Sequence, residues 1–136
     1  MAVKTSGPLV APRLRPRLLL IDDNLTQLYL YTFLLQHDAD MLTASRGEDG
    51  FALACRQRPD AVVVDAVMPG LDGFGVCERL LANRETASLP LIVLTGDEAA
   101  YARATAMRGV DAVLKKPCPD LLLRAVLQAI SIRTIR

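Results

Sequence analysis

The chain has no tryptophan, three phenylalanines, three tyrosines and a single histidine. Aromatic rings cannot fill its interior, so the 51% of residues that are hydrophobic must build an aliphatic core of Leu, Val, Ile and Ala. One histidine gives no second imidazole for a His-based metal site. His37 reads instead as a surface residue at a helix end, where a cation suits the dipole. The three cysteines, Cys55, Cys77 and Cys118, are odd in number and far apart. They fit neither a disulfide framework nor a zinc spacing, and a reduced, cytoplasmic setting is the simplest inference. Net charge is only +1, so no strong field recruits nucleic acid or a membrane surface. No apolar run approaches the roughly 18 residues that span a bilayer. Pro8, Pro12 and Pro16 interrupt the N-terminus before a secretory apolar segment of about 7–15 residues can form. The length of 136 residues suits one domain with a substantial core.

What is present centres on Ala61-Val-Val-Val-Asp-Ala-Val-Met-Pro-Gly-Leu-Asp-Gly73. The β-branched run is short and bounded, which reads as a buried strand. Such strands belong to parallel sheets covered on both faces, where chemistry sits just beyond the carboxyl ends of the strands. Asp65 stands at that place, either as a reactive group or as an acidic residue that starts a turn.

The rest of the chain repeats the pattern. Residues 1–16 read as a flexible arm, with Arg13, Arg15 and Arg17 near its end, and a solvated tail is preferred to a basic anchor. Strand one, Arg17–Ile21, runs into Asp22-Asp23-Asn24. Two adjacent carboxylates about 4 Å apart repel by about 1–4 kcal/mol, so a folded protein supplies a cation or lets one pKa rise. Asn24 is placed to cap helix one, residues 25–37. Its inward stripe is read as Leu25, Leu28, Thr32 and Leu35 with Leu34 beside it, and Leu30 and Phe33 widen a surface expected to be mostly core. Strand two is Met41–Ala44 and helix two Glu48–Gln57, ended by Pro59. After strand three, Asp72-Gly73 opens helix three, with Phe74, Cys77, Leu80 and Leu81 inward. Strand four, Leu91–Leu94, ends in Thr95-Gly96-Asp97. Helix four spans 98–108 with Gly109 as its cap. Strand five, Ala112–Leu114, ends in Lys115-Lys116-Pro117, and helix five runs from Pro119 to about Ile132 with Leu122, Val126 and Ile130 inward.

Five βα units in strict alternation call for an α/β fold, a three-layer flavodoxin-like (βα)5 sandwich whose parallel sheet has the order 2-1-3-4-5. That order brings Asp22, Asp23, Asp65, Thr95 and Lys116 to one sheet edge. Three carboxylates in a partly wet pocket suit a hard cation such as Mg2+. A hydroxyl and an ammonium beside them suit a phosphoryl group, towards which Asp65 can act as the nucleophile.

These residues, together with Met68-Pro69-Gly70, Asp72-Gly73 and Lys116-Pro117, resemble the receiver domain of two-component response regulators over roughly residues 17–133. The resemblance implies that Asp65 accepts a phosphoryl group from a histidine kinase or histidine phosphotransfer protein, and that Lys116 holds the phosphate while Thr95 turns to it. It implies Mg2+ bound directly by Asp23, Asp65 and the backbone carbonyl of Val67, with Asp22 acting mainly through water, and a cis Lys116–Pro117 bond. Such a domain assists its own phosphorylation and dephosphorylation and turns over no separate substrate.

Two departures concern the output: Val113, and Cys118, which follows Lys116-Pro117 where the family often has Phe. The aromatic that commonly lies three residues before the lysine is Val113 here, so signalling through helix one or the loop between strand four and helix four is expected. Val67 and Asp97 occupy positions that tune acyl-phosphate hydrolysis; valine cannot activate water. Val67 also stands where an aspartyl-phosphate phosphatase places its general acid, which argues against that enzyme class. A pseudo-receiver that binds partners without phosphorylation is the other reading. The sequence to residue 136 carries no output domain, which leaves a stand-alone receiver or a piece of a larger regulator or hybrid kinase. Kinase choice is expected to lie in Leu25, Thr26 and Tyr29. Leu30 and Phe33, or Leu121, Leu123 and Leu127, offer a homodimer contact or a second side of the core.

Overall fold

A computed structural model describes residues 15–116 and 119–135. The strands are β1 (Arg17–Ile21), β2 (Asp40–Ala44), β3 (Ala61–Asp65), β4 (Leu91–Thr95) and β5 (Ala112–Lys115). They alternate with α1 (Leu25–Leu35), α2 (Gly47–Gln57), α3 (Gly73–Ala82), α4 (Glu98–Thr105) and α5 (Pro119–Ile135). All strand pairs are parallel and the sheet order is β2-β1-β3-β4-β5, the flavodoxin-like arrangement expected from the alternation.

Side-chain alternation along the strands divides the core in two. Leu19, Ile21, Val62, Val64, Leu91 and Val93 face α2, α3 and α4, where they meet Ala54, Phe74, Cys77, Leu80 and Ala104. Leu18, Leu20, Val63, Ile92 and Leu94 face α1 and α5, where they meet Leu28, Tyr31, Leu35, Leu122 and Val126. The three central strands are buried on both faces, so they read as continuous apolar runs.

Two expectations are corrected. The buried residues of α1 are Leu28, Tyr31 and Leu35, while Leu25, Leu30, Phe33 and Leu34 are exposed. α1 is apolar nearly all round, so periodicity alone could not select the face that meets the sheet. α4 ends at Thr105, three residues before the expected position. The Met107 N–H tightens the end by bonding to Ala104 O. Gly109 lies further on, with φ +89°, in the turn towards β5, where an added Cβ would press on Leu81 Cδ1 at 2.8 Å. It is a turn glycine rather than a cap.

Candidate functional site

Strand register assembles the site. Ile21 lies opposite Val64, so the residues that follow, Asp22 and Asp65, leave the sheet side by side. Asp65 lies opposite Leu94, and Thr95 opposite Lys115. Lys116 therefore follows directly, its N–H donating to Thr95 O at 3.1 Å.

Local turns fix the acids. The Asp22 N–H extends the ladder to Ala44 O at 3.1 Å, and the Asp22 side chain, only 1% exposed, accepts the Asn24 N–H at 3.0 Å. Asn24 Oδ1 accepts the Gln27 N–H at 3.1 Å, the expected cap of α1. Beyond β3, Asp65 Oδ1 accepts the Val67 N–H at 3.3 Å. The chain turns at Gly70, φ +72°, and returns so tightly that the Gly73 N–H reaches Ala66 O at 3.0 Å. A Cβ on Gly73 would stand 2.7 Å from Ala66 Cα, so only glycine lets α3 start this close to the acceptor strand. Asp72 caps α3 through the Gly75 N–H.

Lys116 Nζ donates to Asp22 Oδ2 at 2.7 Å and to Asp65 Oδ2 at 3.2 Å. This is a cation of the kind that the crowded carboxylates require. One oxygen each from Asp22, Asp23 and Asp65 lies within 4.8 Å of the others, a spacing and donor set able to hold a hard divalent cation. Burial raises the Asp65 pKa above the ordinary carboxylate value, and the Asp22 charge adds to it against the pull of Lys116 and the Val67 N–H. Burial alone would lower the Lys116 pKa. Its bond to Asp22 and the charges of Asp65 and Asp22 outweigh that and raise it. The thiol of Cys77, on the buried face of α3, is pushed up to about 12 and is chemically quiet.

The remaining predicted residues divide. Thr95 is 1% exposed and its Oγ1 accepts the Asp97 N–H at 3.0 Å. Asp97 is the N-cap of α4, its Oδ2 accepting the Ala100 N–H at 2.8 Å, a duty that sequence reasoning did not assign. The Val67 side chain is 57% exposed beside Asp65. Val113 is half-buried and packs into the core beneath α4. Pro117, and with it the cis bond, lies outside the described residues.

Two contacts near the site were missed. Lys115 pairs with Glu98 at 2.6 Å and stands 5.1 Å over the Tyr101 ring, tying β5 to α4. Its parity with Val113 was the available signal, since alternate strand residues share a face. Arg103 lies 3.9 Å over the Phe74 ring, bridging α4 to α3 across a cleft of about 280 Å3 that also takes in Val67, Asp72 and Asp97.

The family described as the response regulator receiver domain matches residues 18–128. The chain belongs to this family. It is 35% identical to Protein PilH of Pseudomonas aeruginosa over 84% of this chain and 96% of that one. It is 38% identical to the transcriptional regulatory protein AfsQ1 of Streptomyces coelicolor over 85% of this chain and 51% of that protein. It thus spans nearly all of the first relative and about half of the second. Among solved structures, a putative response regulator from Chloroflexus aurantiacus superposes with TM-score 0.79 at 28% identity, covering 86% of this chain and 98% of that one. A receiver domain protein from Clostridium thermocellum does so with TM-score 0.79 at 29% identity, over 88% and 98%. Among the described residues no helix is long and apolar enough to cross a membrane.

Proposed function

We propose that this receiver domain is a phosphorylation switch in which Asp65 accepts a phosphoryl group from a phosphohistidine on a histidine kinase or phosphotransfer protein. The observation that carries the reading is Lys116 Nζ within hydrogen-bond reach of both Asp22 and Asp65 at the ends of neighbouring strands. A carboxylate oxygen of Asp65 forms the new P–O bond as the donor's P–N bond breaks. The electron pair stays on the imidazole nitrogen, which takes up a proton. The Lys116 ammonium leaves its carboxylate partners in part to hold the transferred phosphoryl oxygens. The Thr95 hydroxyl donates to them, and that movement is read at the β4–α4 loop. Asp22, Asp23, Asp65 and the Val67 carbonyl would hold Mg2+, which when bound supplies charge neutralisation for the crowded oxygens. The domain assists its own phosphorylation and loss of phosphate and turns over no separate substrate. Cytoplasmic placement follows from the same reading.

Incubating the protein with a phosphorylated histidine phosphotransfer protein and Mg2+ tests the donor class. Transfer of phosphate to this chain, lost on prior addition of a chelator, supports it. A chain that stays unmodified while the donor keeps its phosphate would favour the pseudo-receiver.

A further inference from the structure

α4 is short and lightly packed. Of its eight residues only Ala100 and Ala104 are buried, so little apolar area fixes it to the core. Two cations attach it further. Arg103 leaves α4 and lies 3.9 Å over the Phe74 ring of α3. Phe74 is only 5% exposed, and a cation over a desolvated ring is held more firmly than one over a wet ring. From the other side, Lys115 of β5 reaches Glu98 at 2.6 Å and stands 5.1 Å from the centre of the Tyr101 ring. Glu98 and Lys115 are both well exposed, so this second attachment is the weaker.

Both attachments bear on the site. Phe74 follows Gly73, whose N–H bonds to Ala66 O beside Asp65. Asp97 caps α4 through the Ala100 N–H and gives its own N–H to Thr95 Oγ1. Arg103 thus sits on an unbroken path from the turn after β3, across α4, to the Thr95 hydroxyl. A Thr95 hydroxyl that turns towards a phosphoryl group must release the Asp97 N–H. With α4 held on two sides, the loop takes up that change while the helix stays. A Cβ added to Gly96 would meet no atom within 4 Å, so the loop has space for the movement.

We propose that Arg103, assisted by Lys115, is a positioning residue for Thr95: it holds α4 in place, so that the switch of the hydroxyl is confined to residues 95–97. Confinement of the switch rests on the receiver reading above. The attachment of α4 does not.

Amide spectra with and without beryllofluoride test this on wild type, on Arg103→Lys, and on Arg103→Gln combined with Lys115→Gln. In wild type the change at residues 98–105 should be small beside that at 95–97. In the double variant it should grow several-fold, while Arg103→Lys, which keeps a cation for the ring, should resemble wild type. A role in stability alone would alter the untreated spectrum and leave the beryllofluoride-induced difference as it was. Equal differences over 98–105 in wild type and the double variant would overturn the proposal. Hydrogen exchange of the untreated proteins gives a reading that needs no phosphoryl chemistry. The α4 amides should exchange several-fold faster in the double variant, and unchanged protection would overturn the proposal. If no amide around Asp65 responds to beryllofluoride in any of these proteins, the receiver reading fails, and exchange decides the attachment of α4 by itself.

Discussion

Burial of Asp65 near Asp22 raises its pKa, so the folded protein holds that proton more tightly than the unfolded chain does. Stability therefore falls as pH rises through the window from the ordinary carboxylate value to the raised one, and above it the ionised Asp65 is a strained charge. Asp65→Asn is expected to raise the melting temperature of the metal-free protein at pH 7 by a few degrees, on the order of 1 kcal/mol. A lowered melting temperature would contradict this. Lys116 carries the same sign in a more alkaline window. Its pKa is raised, so its contribution is complete below its ordinary value and is lost only as pH climbs through the folded value in the alkaline range. Lys116→Ala would leave Asp22, 1% exposed, without its cation, and is expected to destabilise by on the order of 3 kcal/mol, read by urea denaturation. At Asp97 the cap and the charge can be separated. Asp97→Ala should lower stability by about 1 kcal/mol, whereas Asp97→Asn keeps the capping oxygen. A change in phosphoryl lifetime in Asp97→Asn, where the cap is kept, therefore reports the charge. Similarly, Val67→Asn should not lengthen that lifetime relative to wild type, because valine offers attacking water no base.

At the level of elements, the strand runs were legible because β1, β3 and β4 are buried on both faces and lack any competing polar pattern. Their ends were legible too, since an acid, hydroxyl or lysine directly after an apolar run marks where the strand leaves the core. The inward face of α1 was not. LTQLYLYTFLL is apolar on every side, and the packing of α1 beside α5 on the sheet decides that Tyr31 goes in and Phe33 stays out. The C-terminal end of α4 was misplaced because a glycine with positive φ serves a turn as well as a cap. Contacts between elements, such as Arg103 on Phe74 and Lys115 on Glu98, depend on three-dimensional approach and leave little trace in a linear pattern. The approach of α3 to β3 gives a prediction at this scale. Gly73→Ala would push α3 away from Ala66, and is expected to destabilise the fold by on the order of 2 kcal/mol and to slow phosphorylation of Asp65 through displacement of its strand end. An unchanged phosphorylation rate in a folded Gly73→Ala protein would show that the close approach does not position the acid.

Across the whole molecule, ligands that bind only the folded state raise its stability by mass action. Mg2+ should therefore raise the melting temperature of wild type and much less that of Asp23→Asn. The increment should shrink as pH falls through the raised Asp65 pKa, because protonation removes a ligand charge. The absence of an aromatic at Val113 sets a second expectation. On treatment with beryllofluoride, amide shift changes should concentrate at the β4–α4 loop and α1. Large changes spread evenly over α4 and β5 would show that the output runs through the Lys115–Glu98–Tyr101 contact instead. The central claim remains the chemistry at one carboxylate. It is tested most directly by incubating wild type and Asp65→Asn with acetyl phosphate and Mg2+ and measuring intact mass. The expected result is a gain of one phosphoryl unit in wild type, none in Asp65→Asn, and none in wild type when a chelator is added first. An unmodified wild type, or an adduct retained in Asp65→Asn, would contradict it.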